Sequence, residues 1–281
     1  MTVKKIRAQF LKLLSPQYTQ DEICMHVEML CEAYLDFTPA QVVLNLNEVL
    51  SPEKKAQFQA ALSALQENIP IQYIIGTVMF AGLTLDVDER VLIPRPETEE
   101  LVHWLLATHD NEAPLRVLDI GTGSGCVAIA IKKARPNWKV TAWDVDLDAL
   151  AAARHNAKKN SLSVNFEVVD ILGAQLPNTN WDIIVSNPPY VPEFEKAHTA
   201  AHVLREPEHA IFVPGASPLK HYTHIINYAT KQLNAKGGIY LEGHAPLMKT
   251  LHLLLTQAGF SDIVLRNDFR TNPRFIRAQY R

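Results

Sequence analysis

The segment "VSNPPYVPEF", Val185 to Phe194, places chemistry where an apolar run ends. Pro188 forces Asn187 into an extended backbone, and Pro189 does the same to Pro188. Neither proline donates an N–H, so a stiff wall of acceptors remains: the Asn187 side-chain carbonyl and the Pro188 main-chain carbonyl. Tyr190 adds a flat ring able to stack on a planar group. Two acceptors beside a ring match an sp² –NH₂, one N–H aimed at each oxygen. Such nitrogens are poor nucleophiles because their lone pair is delocalised, and holding both N–H bonds points that lone pair at an electrophile. Asn187, Pro188 and Tyr190 are therefore the catalytic candidates, and Asn187, Pro188, Pro189 and Tyr190 the substrate-binding ones. The competing reading is a rigid strand-exit turn with Asn187 bonded to its own backbone.

A second chemical feature is "LDIGTGSGCVAIAI", with glycines at 121, 123 and 125. They allow a tight turn into a helix and close approach of a ligand to main-chain N–H groups. A dinucleotide fingerprint needs glycine at position 126, which is Cys126 here. Asp119 precedes the loop. Asp144 follows about 20 residues on, where a carboxylate can accept from both ribose hydroxyls. Asp170 ends a third strand near the expected edge of an adenine. Three strand-end carboxylates suit a nucleoside carrying positive charge, such as a sulfonium, and repel a diphosphate. The alternative is a strand–turn–helix whose glycines serve packing and whose carboxylates cap helices.

The elements that position these motifs fall into three stretches. Residues 1–68 read as helices, with a capping box at Thr19–Glu22, an N-cap at Thr38 before Pro39, and another at Ser51 before Pro52. Residues 69–93 read as a β-hairpin linker with turns at Gly76 and Gly82. Residues 94–281 alternate strand and helix, with strands at 116–121, 140–145, 165–170, 181–187, 237–243, 262–268 and 274–280. Helices are expected between the first six. The last two strands are too close for a crossover and must pair antiparallel. The predicted fold is α/β: a seven-stranded, doubly wound Rossmann-like sheet with one antiparallel strand, plus a small all-helical N-terminal domain.

Charged residues make up 20% of the chain and the net charge is -3, which argues against a dedicated nucleic-acid binder. No apolar run approaches the roughly 20 residues of a membrane span, and the basic N-terminus lacks a signal-peptide core. Cys24, Cys31 and Cys126 are a sparse, odd set suited to a reducing cytoplasm, and the first two, seven apart, are expected to face a core. His198 and His202 have metal-ligand spacing for a helix but no accompanying glutamate, so no metal is expected. Glu206 and Pro207 belong to a stretch placed to cover substrate.

With these motifs, the chain resembles the S-adenosylmethionine-dependent methyltransferases, and more closely the peptide chain release factor glutamine N5-methyltransferases (the PrmC/HemK family). The carrying stretches are "QYIIG", "VLIPRPETEELV", "LDIGTGSGCVAIAI", "DVDLDAL" and "VSNPPYV", with "EPEHA" and "GGIYLEG" in support. The resemblance implies methylation of the glutamine in the Gly-Gly-Gln motif of class I release factors, S-adenosylmethionine as cofactor, and an N-terminal domain that docks the release factor. It implies a cytoplasmic monomer without membrane or direct nucleic-acid partners. Cofactor-binding positions carried over are Gly121, Thr122, Gly123, Ser124, Gly125, Asp144, Asp170, Ile171 and Asn187, Ile171 standing where relatives often stack an aromatic. The chemical alternative is an exocyclic base nitrogen, adenine N6 or guanine N2, which the same acceptor wall would suit. A non-catalytic cofactor sensor has no need of an amide clamp, and an NAD-dependent dehydrogenase conflicts with the glycine spacing.

Overall fold

Hydroxyl caps start the N-terminal helices of the computed structural model, which describes residues 1–109, 113–215 and 217–281. Thr2 caps α1 (Val3–Leu14). Thr19 with Glu22, and Thr38 with Gln41, form capping boxes on α2 (Gln20–Leu35) and α3 (Pro39–Leu44). Ser51 caps α4 (Pro52–Gln66), with proline at its first turn. Each cap satisfies backbone donors that the first turn leaves free. Ile6, Phe10, Val27, Leu30, Phe58 and Leu65 close this unit's own core. Cys31 is fully buried there, whereas Cys24 is only half-buried and accepts from Arg7 Nη2 at 3.1 Å. The expectation that both cysteines face the core therefore holds for Cys31 alone.

Two compact units divide the chain: residues 1–76 with 200–205, and residues 77–199 with 206–281. The first ends in α5 (Ile71–Ile75), a stretch expected to be strand. Pro70 begins this turn of helix, and Gly76, at φ +82°, ends it by donating to Gln72 O; left-handed glycine is a helix terminator. The hairpin is thus shorter than predicted, β1 (Thr77–Phe80) against β2 (Leu83–Asp86).

After α6 (Pro96–Ala107) the second unit builds its sheet. The strands are β3 (Arg116–Ile120), β4 (Lys139–Asp144), β5 (Asn165–Val168), β6 (Trp181–Ser186), β9 (Leu233–Glu242), β10 (Phe260–Asn267) and β11 (Pro273–Tyr280), and a short pair, β7 (Val191–Pro192) with β8 (Phe212–Val213), stands apart. The order is β10-β11-β9-β6-β3-β4-β5. All neighbours are parallel except β11, which runs antiparallel to both β9 and β10. Successive side chains alternate between faces: Ile183 and Val185 join the core under α6 and α7 (Cys126–Ala134), while Ile184 joins the one under α10 (Lys220–Gln232) and α11 (Met248–Gln257). α8 (Leu147–Lys159) follows β4, and α9 (Glu208–Ile211) precedes β8. The helix expected between the third and fourth strands is absent: residues 169–180, interrupted by Gly173 and Pro177, cross as turns and loop. A 3-10 helix (Glu193–His198) ends at His198 and residues 199–202 are not helical, so His198 and His202 share no helix face.

Candidate active site

β3 lies between β4 and β6, so the glycine loop, the end of β4 and the end of β6 meet at one edge, where open α/β sheets bind ligands. They enclose a cavity of about 420 Å³ lined by Gly121 to Ser124, Asp144, Asp170, Ile171, Asn187, Pro188 and Pro189, the size of a small-molecule site. Gly125 instead turns toward α8. A Cβ there would sit 2.9 Å from Ile129 Cδ1 and 3.1 Å from Ala153 Cβ, at φ +82°, so this glycine serves packing.

Four of the loop's main-chain donors are committed within the protein. Gly121 N and Thr122 N donate to Trp143 O at 2.9 and 3.0 Å, Gly125 N to Thr122 O at 2.9 Å, and Gly123 N to Asp144 Oδ2 at 2.8 Å. Those four N–H groups are not available to a diphosphate. Asp144 also accepts from Asp146 N, yet two of a carboxylate's roughly four acceptor sites remain for hydroxyls. Burial raises its pKa, opposed by those two N–H bonds. Asp119, 1% exposed, accepts from Thr122 Oγ1 at 2.6 Å; burial pushes its carboxyl up to about 7, with Asp144's charge adding to the rise. Two carboxyls poised against ionisation beside an apolar wall fit a ligand with a fixed positive charge, and they fit S-adenosylmethionine.

Asn187 lies one residue beyond β6. Its Nδ2 donates to Thr98 Oγ1 at 3.0 Å, leaving Oδ1 as the amide's uncommitted acceptor. Tyr190 stands behind this wall. Its ring stacks on His244 (centroids 6.1 Å apart, planes 14°), and its hydroxyl donates to Glu242 Oε1 at 3.3 Å. Burial, then the Glu242 charge, raises the Tyr190 pKa.

Two supports brace the site: Asn156, invisible in the sequence, and Glu206, expected only as part of a stretch covering substrate. Asn156 on α8, fully buried, donates to Ser124 O and Asp86 O and accepts from Asp86 N, tying the glycine loop to the hairpin. Glu206, also buried, accepts from Ile93 N at 3.0 Å and from Arg95 Nη2 at 2.5 Å. Beyond it, His209, Ala210, Phe212 and Val213 form part of the cavity wall, and His209 Nε2 lies 3.2 Å from Asp146 Oδ2.

A Rossmann-like sheet with β11 reversed, an inward-bonded glycine loop and a carboxylate ending the next strand define an S-adenosylmethionine-dependent methyltransferase. Residues 98–241 match the methyltransferase small domain and residues 6–76 the PrmC N-terminal domain. Similar proteins include the release factor glutamine methyltransferase of Flavobacterium psychrophilum, 38% identical over 100% of both chains. That of Bacteroides thetaiotaomicron is 36% identical, over 98% of this chain and 99% of its own. The chain belongs to the release factor glutamine methyltransferase family. Among solved structures, the Thermus thermophilus 16S rRNA N2 G1207 methyltransferase, in complex with AdoMet and guanosine, shares the fold at TM-score 0.55 and 20% identity, over 73% of this chain and 50% of that one. The hMettl16 catalytic domain in complex with a MAT2A 3′UTR hairpin does so at TM-score 0.56 and 20% identity, over 84% and 86%.

Proposed function

We propose that this protein transfers a methyl group to the side-chain amide nitrogen, N5, of the glutamine in the Gly-Gly-Gln motif of class I release factors, and so modulates translation termination. The observation that carries the reading is the Asn187 amide, held with its carbonyl uncommitted beside the Pro188 carbonyl at the edge of a cavity suited to a sulfonium nucleoside. When bound, S-adenosylmethionine supplies an electrophilic methyl on sulfur. Gly121, Thr122, Gly123 and Ser124 would hold it at the loop, Asp144 at the ribose, and Asp170 with Ile171 at the base. Gly125 would support the loop through packing.

The chain's own residues supply orientation. Asn187 Oδ1 and Pro188 O accept the two N–H bonds of the substrate amide, which bends the nitrogen away from planarity and directs its lone pair into the cavity. Acceptors fixed before the reaction stabilise the positive charge that develops on that nitrogen. The surplus proton leaves along the bond to Asn187 Oδ1 and passes to water, so no strong base is required. Pro189 stiffens the wall, and Tyr190 braces it from behind.

The helical unit exposes Val43, Leu44 and Val49 at 65, 81 and 74%, an apolar surface that supports its use in docking the release factor. Among the described residues no helix is long and apolar enough to cross a membrane; that the enzyme acts as a cytoplasmic monomer on translation factors is part of the same proposal. The test is methyl incorporation into a purified class I release factor: wild type labels it, and Asn187→Ala does not.

A further inference from the structure

Both ends of the Asn187–Tyr190 segment are tied to one carboxylate. Glu242, the last residue of β9, stands beside β6 in the sheet and is 1% exposed. Its Oε2 accepts from Thr98 Oγ1 at 2.8 Å, and Thr98 Oγ1 in turn accepts from Asn187 Nδ2 at 3.0 Å. Its Oε1 accepts from the Tyr190 hydroxyl at 3.3 Å, a hydroxyl that also accepts from Arg274 Nη1 at 3.4 Å. A hydroxyl has one hydrogen to give. With Thr98's hydrogen given to the carboxylate, the oxygen is left as an acceptor, and the Asn187 amide can meet it only through its –NH₂. The opposite amide orientation would aim N–H bonds at the substrate nitrogen's own N–H bonds and abolish the acceptor wall.

We infer that Thr98 and Glu242 are positioning residues of the methyl-transfer site: a buried carboxylate, acting through one hydroxyl, selects the Asn187 amide orientation that presents Oδ1 to substrate, and holds Tyr190 with its other oxygen. The inference deepens the proposed function and rests on it for the identity of the substrate. Burial pushes the Glu242 carboxyl up to about 7, against the Thr98 bond and the Arg274 charge. The titratable and charged groups facing it are Glu97 on α6, Cys126 on α7, Tyr190, Tyr222 on α10, whose hydroxyl donates to Glu242 O, and Arg274 on β11. Protonation gives the carboxyl a hydrogen to donate, so the direction of the chain is no longer enforced.

The test compares Thr98→Val, which keeps the shape and removes the hydroxyl, with Thr98→Ser, which keeps the hydroxyl. Thr98→Val lowers kcat on the release factor about 10- to 100-fold while cofactor affinity stays at the wild-type value, and its thermal midpoint falls because buried polar groups lose their partner; Thr98→Ser restores most of the rate and of the midpoint. The acid limb of the kcat–pH profile near 7, measured at saturating cofactor, disappears in Glu242→Gln. Independently of any substrate, the Asn187 side-chain –NH₂ in ¹⁵N spectra, assigned by its loss in Asn187→Ala, is displaced downfield in wild type and Thr98→Ser but not in Thr98→Val. Equal rates for Val and wild type, equal losses for Val and Ser, an unchanged acid limb in Glu242→Gln, or identical amide resonances in all variants would each overturn the inference. If wild type leaves the release factor unmodified, the substrate reading fails, and the amide resonances still decide the positioning role.

Discussion

Replacing Asp119 with Asn stabilises the ligand-free α/β unit at pH 8 but not at pH 4. The carboxyl is held at about 7 against an ordinary 3.8. At 1.36 kcal/mol per pKa unit, ionisation in the folded state costs up to about 4 kcal/mol. The folded pKa lies above the unfolded one, so the native state keeps its proton longer. The associated stability is complete below about pH 4, is lost as the pH climbs to about 7, and stays lost above that. Asparagine has no proton to lose and keeps an acceptor for Thr122. Glu242, also raised to about 7, bends the absolute stability curve the same way. His109, His221 and His244, held below 6.5 by burial, bend it oppositely. All four are present in both proteins, so the difference between the curves isolates Asp119. The four tryptophans, at 104, 138, 143 and 181, lie in the α/β unit, so urea unfolding followed by their fluorescence reports on it alone. The two proteins' curves diverge between pH 4 and 7 and then run parallel. Curves parallel throughout would refute the reasoning that a buried, charge-crowded carboxyl waits for a cationic ligand.

Other perturbations act on the supports. Gly125→Ala meets Ile129 and Ala153 and an unfavourable φ; it lowers stability by about 1–3 kcal/mol and weakens cofactor binding, both measurable by thermal unfolding with and without cofactor. Asn156→Ala removes the clamp on Ser124 and Asp86, leaving their buried polar groups unpaired, for a loss of about 2–4 kcal/mol. Calorimetric titration should show its cofactor affinity falling as well, and an affinity equal to wild type would separate the clamp from the site.

The sequence made legible what is local. A strand followed by glycines, a carboxylate ending the next strand, and Asn187 before two prolines are features of short stretches whose placement follows from doubly wound topology. Residues that act across distance were hidden. Asn156 reads as an ordinary helix position until the fold brings Asp86 against it, and Thr98 and Glu242 stand far apart in sequence from Asn187. The helical turn at Ile71–Ile75 reads as strand in the sequence because its β-branched isoleucines outweigh the stop at Gly76. Gly125 illustrates a different limit, since spacing reveals a glycine but not whether ligand or helix occupies the space beside it.

The central claim is that the acceptor wall at Asn187 serves a protein glutamine. It is tested most directly by incubating the protein with S-adenosylmethionine, a class I release factor and, in the same vessel, RNA and DNA, then sequencing the products by mass spectrometry. The account predicts one added methyl group on the Gly-Gly-Gln glutamine, absent with Asn187→Ala and absent when that glutamine is replaced. Methyl groups on adenine or guanine with the release factor unmodified would contradict it.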